Sequence, residues 1–406
     1  MRSSMGLVCP FTLALALALP VAAQRIWIVD ANGGGDHREI SFAVNSAANG
    51  DTVVVRAGNY VMDSAIVGKD LRLLAEANVR TYGVLTIANV PAGRTVAVEG
   101  FATGSSLPWN DPRPFQVVVS NCAATVVLER LELTRPAAFP STWRPAPPPG
   151  LTISGSANVV VSASTVIGGP AVSMTSSTVT FLDARIYGAS ASVPDGFYTL
   201  PAVVASASTI TVSGGVVGGG SAVIDGQWIP TSPRVAMELT GCDVVATGDA
   251  QTRILGGAQW GGGGLRTNSI DASGGTIVAD PRVTLTTFPR LRNGATFVAE
   301  SIPGLLATAG TPGTNVVLRH VDTPGATAPI FVSLPAAATA TPFGDLWLDL
   351  PTAILLHAGT VPPDGAIDLT LPLTPAFPRG LALTFQSAST AGGGLRLSNA
   401  ATTILH

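Results

Sequence analysis

Charge is what this chain has least of. Asp, Glu, Lys and Arg make up 12% of its 406 residues, against about 25% in ordinary soluble domains. Lys69 is the only lysine. With 22 basic and 25 acidic residues the formal net charge is −3, so no basic surface is on offer to the phosphates of a nucleic acid. Apolar runs of about 18 residues are missing after the N-terminus, which argues against a bundle of membrane helices. Cysteine is scarce, and His37, His320, His357 and His406 are scattered with no metal-ligand spacing. There is no G-x-S-x-G elbow and no phosphate loop, and no cofactor is implied. What is abundant is apolar or turn-forming. Hydrophobic residues reach 46%, and 45 glycines with 31 prolines make 76 of 406 residues, well above the roughly 12% of an average protein. So many Val, Ile and Leu with so little charge exclude disorder.

The first residues read as an export signal. Arg2 supplies a positive start, residues 13–19 alternate Leu and Ala, Pro20 breaks the run, and Val21-Ala22-Ala23 offers small residues for cleavage before Gln24. Cys9 lies upstream of the apolar run, which argues against a lipoprotein. Residues 1–23 are therefore expected to be removed. The mature chain is expected outside the cell, secreted or at its surface, with no transmembrane segment.

The middle of the chain repeats itself. FQVVVSNCAATVVLERLELT from Phe115, GLTISGSANVVVSASTVIGG from Gly150, PAVSMTSSTVTFLDARIYGA from Pro170 and PAVVASASTITVSGGVVGGG from Pro201 share one internal order. Each has a short alternating apolar run, a corner of small polar residues, a second run, another corner and a third run. Runs of β-branched residues with period two are strands, and the small residues between them are turns. Three strands per turn without helices predict a solenoid whose coils stack about 4.7–4.9 Å apart. A β-sandwich also has many short strands, but it does not require a 20-residue unit to recur in one order. Cys122 and Cys242 fall at the same phase about four coils apart, or about 19 Å. A disulfide needs Cα atoms within roughly 7 Å, so both are expected as free thiols.

The mature chain opens with an apolar strand (residues 26–29) and the turn Asn32-Gly33-Gly34-Gly35-Asp36. Ile40, Ala43, Val44 and Ala47 then recur at helical spacing, and a strand follows from Thr52. One short helix there would cap the first coil, which otherwise exposes core and an unpaired edge. Residues 28–60, IVDANGGGDHREISFAVNSAANGDTVVVRAGNY, resemble the opening of right-handed parallel β-helix proteins of the pectin-lyase-like superfamily. Asp30, Gly33, Gly35, Asp36, Ile40, Ala43, Val44, Ala47, Gly50, Asp51, Thr52, Val53, Val55, Gly58 and Tyr60 match that pattern. The resemblance implies a right-handed parallel β-helix over residues 24–285. It is shared by lyases, hydrolases, esterases and many uncharacterised secreted proteins, so it leaves the activity open.

After Pro281 the repetition fades. Residues 286–406 alternate strand-like runs (366–372, 381–386 and 395–398) with Gly/Pro turns, which predicts a small antiparallel all-β domain. Residues 380–383, Gln386 and 394–400 resemble a C-terminal module of large secreted bacterial proteins. That resemblance implies a role in stability, surface retention or export. The expected fold is all-β: a β-helix with an N-terminal capping helix and a C-terminal antiparallel domain.

Chemistry has few places to sit. Gly33-Gly34-Gly35-Asp36 occurs once and reads better as a capping turn than as a calcium repeat. Corner serines read as turn residues. Lys69, in the turn Gly68-Lys69-Asp70, makes a poor lyase base. Aligning Leu128, Val161 and Phe181 sets Arg130 in register with Ala163 and Asp183, and Glu132 with Thr165 and Arg185. Glu132, Asp183 and Arg185 are thus the candidate catalytic group; the competing reading is an exposed ion-pair face. The segment Phe181-Leu182-Asp183 lacks the D-F-I-x-G core of pectin methylesterases.

Insertions fall near residues 104–114, 136–149, 190–200, 221–234 and 258–264, all after the third run of a coil. Insertions at one phase project from one side of a solenoid. Each carries an aromatic: Trp109, Trp143, Tyr198, Trp228 and Trp260 are the candidate ligand-binding residues. Aromatic faces packed on sugar rings make a polysaccharide platform; the alternative is that the rings cover the coil wall. The expected function is a non-catalytic module binding polysaccharide or another surface polymer, with a polysaccharide lyase or glycoside hydrolase as the alternative. Nothing in the sequence sets the oligomeric state.

Overall fold

A computed structural model describes residues 24–104, 114–134, 148–189, 199–220, 234–257, 267–307, 315–372, 380–390 and 394–405. Trp109, Trp143, Tyr198, Trp228 and Trp260, and residues 1–23, expected as an export signal, lie outside the described residues.

The repeat becomes a right-handed parallel β-helix. Each coil contributes one strand to each of three walls. The first run of a coil (for example Gln116–Ser120) builds the first wall, the second run (Thr125–Glu129) the second, and the third run (Glu132–Thr134) the third. Register is strict: Val126 pairs with Val159, Val159 with Val179, Val179 with Ile210, and Ile210 with Val244. A continuous apolar column fills the interior. One corner carries a serine ladder. Ser156, Ser177 and Ser208 each accept the amide of the residue one coil back, at 3.2–3.3 Å, and donate to the carbonyl two residues earlier in their own chain. Cys122 and Cys242 end this ladder as buried free thiols, four coils apart as expected.

The helix α1 (Ile40–Ser46) buries Ile40, Ala43 and Val44 over the first coil. Lys69 finishes it, donating through Nζ to the carbonyls of Val44 (2.5 Å) and Ala47 (2.8 Å). A cation at the helix C-terminus satisfies carbonyls that have no partner within the helix. The lone lysine is thereby spent on the cap. The Gly33–Asp36 turn is tied in the same way: Asp36 accepts from the Ile28 amide, and Asp30 pairs with Arg56.

The middle of the second wall is buried on both faces: its strands Thr125–Glu129 and Asn158–Ser162 are buried throughout. First-wall strands alternate instead, as in Gln116–Ser120. The difference comes from the C-terminal domain, which lies on the outside of the second wall, and it explains the unbroken apolar character of TVVL and VVV. The coil stack runs to Thr296–Ala299, one coil past residue 285, and antiparallel pairing begins with Gly304–Ala307. Asn315–Val321 and Ala366–Pro372 complete a three-stranded sheet. Thr327–Ser333, Ile354–Thr360, Ala382–Ser389, Arg396–Leu397 and Ala401–Ile404 form a second, with a hairpin (Pro335–Thr341, Gly344–Leu348) beside it. At the seam Val160 and Leu182 pack with Leu305, Leu318 and Phe385. The buried Glu129 carboxyl accepts from Thr403 Oγ1 (2.9 Å) and the Ile404 amide (2.6 Å).

Candidate functional site

Five insertions leave the solenoid between a third-wall strand and the next first-wall strand. The described residues flanking three of them form a ladder. Leu200 donates to the Ala189 carbonyl (3.2 Å), Arg234 to Gly220 (3.2 Å) and Thr267 to Gly257 (3.1 Å), which closes the base of each insertion as a hairpin. Gly220 donates to Leu200 (3.1 Å) and Gly257 to Arg234 (2.9 Å), which joins each base to the next. Glycine is required here. A Cβ on Gly220 would lie 2.0 Å from the Ala189 carbonyl oxygen, and one on Gly257 would lie 2.2 Å from that of Gly220, closer than any side chain allows. The coil from Gly150 has no insertion: Thr165–Gly168 passes directly to Val172–Thr175. The roots thus stack along one edge with that single gap among them.

The candidate catalytic residues lie on the neighbouring surface. Glu132, Thr165 and Arg185 are register partners on the third wall, so Glu132 and Arg185 stand two rises, about 10 Å, apart. Asp183 occupies the corner before this wall with Arg130 and Ala163. All three are left-handed, with φ of +51°, +45° and +46° for Arg130, Ala163 and Asp183. All three candidates are exposed, and ion pairing divides them. Glu132 bonds Arg80 at 3.3 Å, whereas Asp183 faces the C-terminal domain.

There, a groove of about 340 Å³ runs between the solenoid corner and the antiparallel domain. Asp183, Gly214, Asp249 and Gln251 line one side; Leu306, Ala307, Val317, Arg319 and Asp368 line the other. Arg319 lies 3.7 Å from both Asp249 and Asp368, and Asp249 accepts the Gln251 amide at 2.9 Å. Loss of hydration pushes the Asp183 carboxyl above its ordinary range; Arg185 opposes this and the Asp249 charge adds to it. A carboxyl raised in this way beside a second carboxylate is a disposition suited to acid–base work. Asp249, Arg319 and Asp368 were not legible as members of this group. They come from an irregular corner and from a domain without repeat register, and no sequence period ties them to Asp183.

The remaining polar groups are structural. Among the described residues no group of three His, Cys, Asp or Glu is placed to hold a metal ion. His320, Asp322, Ser387 and Ser389 form a set enclosed in the C-terminal domain. Ser387 Oγ lies 2.9 Å from His320 Nδ1, Ser389 donates to Asp322, and His320 Nε2 stands 3.8 Å from Asp322. The set looks nucleophilic on paper, but all four residues are buried and no substrate reaches them. Burial lowers the His320 pKa to about 4, so the ring is neutral at physiological pH.

No family model matches the chain, and no curated protein does. Solved structures similar in outline include two of a phage tailspike protein. The enzymatically active domain of tailspike protein 2 from bacteriophage CBA120 is 8% identical with a TM-score of 0.27, over 88% of this chain and 72% of that one. The full-length tailspike protein 2 from an Escherichia coli O157:H7 bacteriophage is 12% identical with a TM-score of 0.25, over 93% of this chain and 68% of that one.

Proposed function

We infer that this protein is an exported β-helix module that holds a linear polysaccharide or a similar surface polymer along its insertion-bearing edge. The observation that carries the reading is the stack of hairpin bases through Ala189, Leu200, Gly220, Arg234, Gly257 and Thr267. Roots one rise apart along one edge give a row of loops the form of a linear binding surface. The sequence puts an aromatic residue in each insertion, Trp109, Trp143, Tyr198, Trp228 and Trp260, and aromatic faces suit sugar rings. On this reading the chain is a charge-poor member of the pectin-lyase-like superfamily, and its C-terminal domain serves retention or export. The test is affinity electrophoresis of the mature protein through acidic and neutral polysaccharides. Trp143→Ala and Trp228→Ala should weaken retention at an unchanged melting temperature. If both instead destabilise the fold by the ~3–5 kcal/mol of buried aromatics, the rings are wall coverings and the reading fails.

The groove at Asp183 favours a second reading, a polysaccharide lyase or glycoside hydrolase. Incubation with the same polymers separates the two. Unsaturated uronates absorbing in the near ultraviolet, or new reducing ends, would establish catalysis, and Asp183→Asn should then abolish it. Retention without either product supports the binding module.

A further inference from the structure

The two ends of the solenoid are finished differently. At the N-terminal end α1 lies over the first coil. At the other end the strands Thr284–Leu285, Arg290–Arg292 and Thr296–Ala299 are, among the described residues, each paired on one side only. Strand parity shows which backbone groups face outward. Thr296 and Glu300 donate back to Gly275 and Ala279, Thr284 and Thr286 donate back to Thr252 and Ile254, and the Arg292 carbonyl accepts from Gly274. In a parallel ladder alternate residues bond to opposite sides. Leu285, Leu291, Phe297 and Ala299 therefore turn N–H and C=O away from the stack. Apolar side chains accompany them: Phe288 is 83% exposed, Val298 42% and Leu291 38%. Solenoids need a terminal cap, and an open apolar sheet edge is a template for another strand.

A single extended peptide matches one edge. Three edges arranged around a coil are matched together by the end coil of another solenoid. Because α1 covers the opposite end of this chain, the coil of the right outline is the same end of a second copy. We propose that two copies of this chain join end to end through their last coils, about a twofold axis perpendicular to the solenoid axis. Strand edges then pair antiparallel, as an isologous interface requires. With the axis normal to the first wall, whose edge is the middle one of the three along the rising coil, all three edges come to pairing distance together. Arg290–Arg292 meets its own counterpart with Leu291 on the axis, and the second and third walls exchange, so Thr296–Ala299 meets Thr284–Leu285 of the partner subunit. Arg290 then lies opposite the partner subunit's Arg292, whose charge Asp271 neutralises.

An end face of this outline is a small interface, so association is expected in the micromolar range. Sedimentation equilibrium of the mature chain over a micromolar concentration series should show a shift from one chain mass to two. Ala299→Pro removes an outward N–H at an edge position that tolerates proline, and Phe288→Asp charges the apolar rim. Each should weaken dimerisation at least tenfold with an unchanged melting temperature. Phe42→Asp on the exposed face of α1 should leave it unaltered. Hydrogen exchange of the wild-type chain gives a readout that does not depend on variant folding: amides of Leu291, Phe297 and Ala299 should be protected in concentrated solution and exchange freely on dilution. A single chain mass throughout, an open-ended ladder of sizes, or a dimer indifferent to both edge substitutions would overturn the proposal.

Discussion

In the solenoid, Val126 is followed one coil later by Val159 and then by Val179. In the C-terminal domain, Phe385 is met by Val332 on one side and Ala401 on the other, residues that no period relates. The interiors differ as well. The coil column is mainly apolar, and most of its hydroxyls sit at corners such as the serine ladder, with Thr81 and Thr103 as inward exceptions on the third wall. The C-terminal domain buries Gln386, Ser387, Ser389, His320 and Asp322, and Gln386 alone ties together Trp347, Asp345 and Ser398. One region is specified by repeating a simple rule, the other by contacts that occur once. The strand Thr178–Leu182 belongs to both. Phe181 points into the coil column and Leu182 into the seam.

That strand gives the largest expected effects. Phe181→Ala should cost ~3–5 kcal/mol and Leu182→Ala ~2–5 kcal/mol. Calorimetry should show Phe181→Ala lowering the transition of the solenoid. Under limited proteolysis Leu182→Ala should open the C-terminal domain first. If the two variants shift one common transition alike, the regions form a single cooperative unit and the comparison collapses.

Two buried titratable groups sharpen it next, because they respond to pH in opposite senses. Burial raises the Glu129 pKa from 4.5 to about 8 against the opposing bonds from Ile404 and Thr403. The folded chain prefers the neutral acid, so this stability is complete below pH 4.5 and is lost as pH rises through 8. Burial lowers His320 from 6.5 to about 4. That stability is complete above pH 6.5 and is lost as pH falls through 4. Each group's whole transition is worth on the order of 3–5 kcal/mol by linkage; between pH 4.5 and 6.5 the two oppose and give a plateau, which leaves an alkaline limb of about 2 kcal/mol above pH 6.5 and an acid limb of under about 1 kcal/mol below pH 4.5. Denaturant titrations at a series of pH values should show both limbs. Glu129→Gln should flatten the alkaline one and His320→Gln the acid one. Unchanged limbs in these variants would place the titrating groups elsewhere.

Most of the solenoid was legible because each coil states the same rule. The alternation in Gln116–Ser120 and Leu151–Ser154 gave the strands, and the recurrence of small residues gave the corners. The register of Glu132, Thr165 and Arg185 could be read across members three strands apart in sequence and still hold in space. The helix followed from Ile40, Ala43 and Val44. Of the candidate site, the common phase of the insertions was legible, and so was the corner position of Asp183. What faces Asp183 was not. Docking of one region on another depends on shape and on single contacts such as Arg319 with Asp249, and these leave no period in the chain. The coil at Arg290–Arg292 and Thr296–Ala299 escaped for a related reason: Pro289 and the polar turn at Asn293-Gly294 disguise its repeat.

A smaller test stays within the solenoid. Ser177 Oγ accepts the Ser156 amide and donates to the Thr175 carbonyl. Ser177→Ala leaves that buried amide without a partner, at a cost of about 1–3 kcal/mol. Equilibrium unfolding should place it below the Phe181→Ala loss. A neutral result would mean the ladder is decoration on an apolar column.

The smallest effect should come from the exposed pair at the candidate catalytic surface. Glu132 and Arg80 meet at 3.3 Å, and both side chains are about half exposed or nearly so. Exposed pairs of this kind contribute about 0–1 kcal/mol because solvent screens the charges and two long side chains lose freedom. Glu132→Gln should therefore leave stability within about 0.5 kcal/mol of wild type. Asp183→Asn removes a carboxyl that pays for its place in the groove by partial loss of hydration, so it should leave the fold equally intact or slightly more stable. Neither substitution threatens folding, and so both can be read for function without ambiguity. Equal loss of a polysaccharide-cleaving activity in both variants would join Glu132 to the groove across the third wall. Loss in Asp183→Asn alone, which the division of ion pairs predicts for any such activity, would confine the chemistry to the junction with the C-terminal domain.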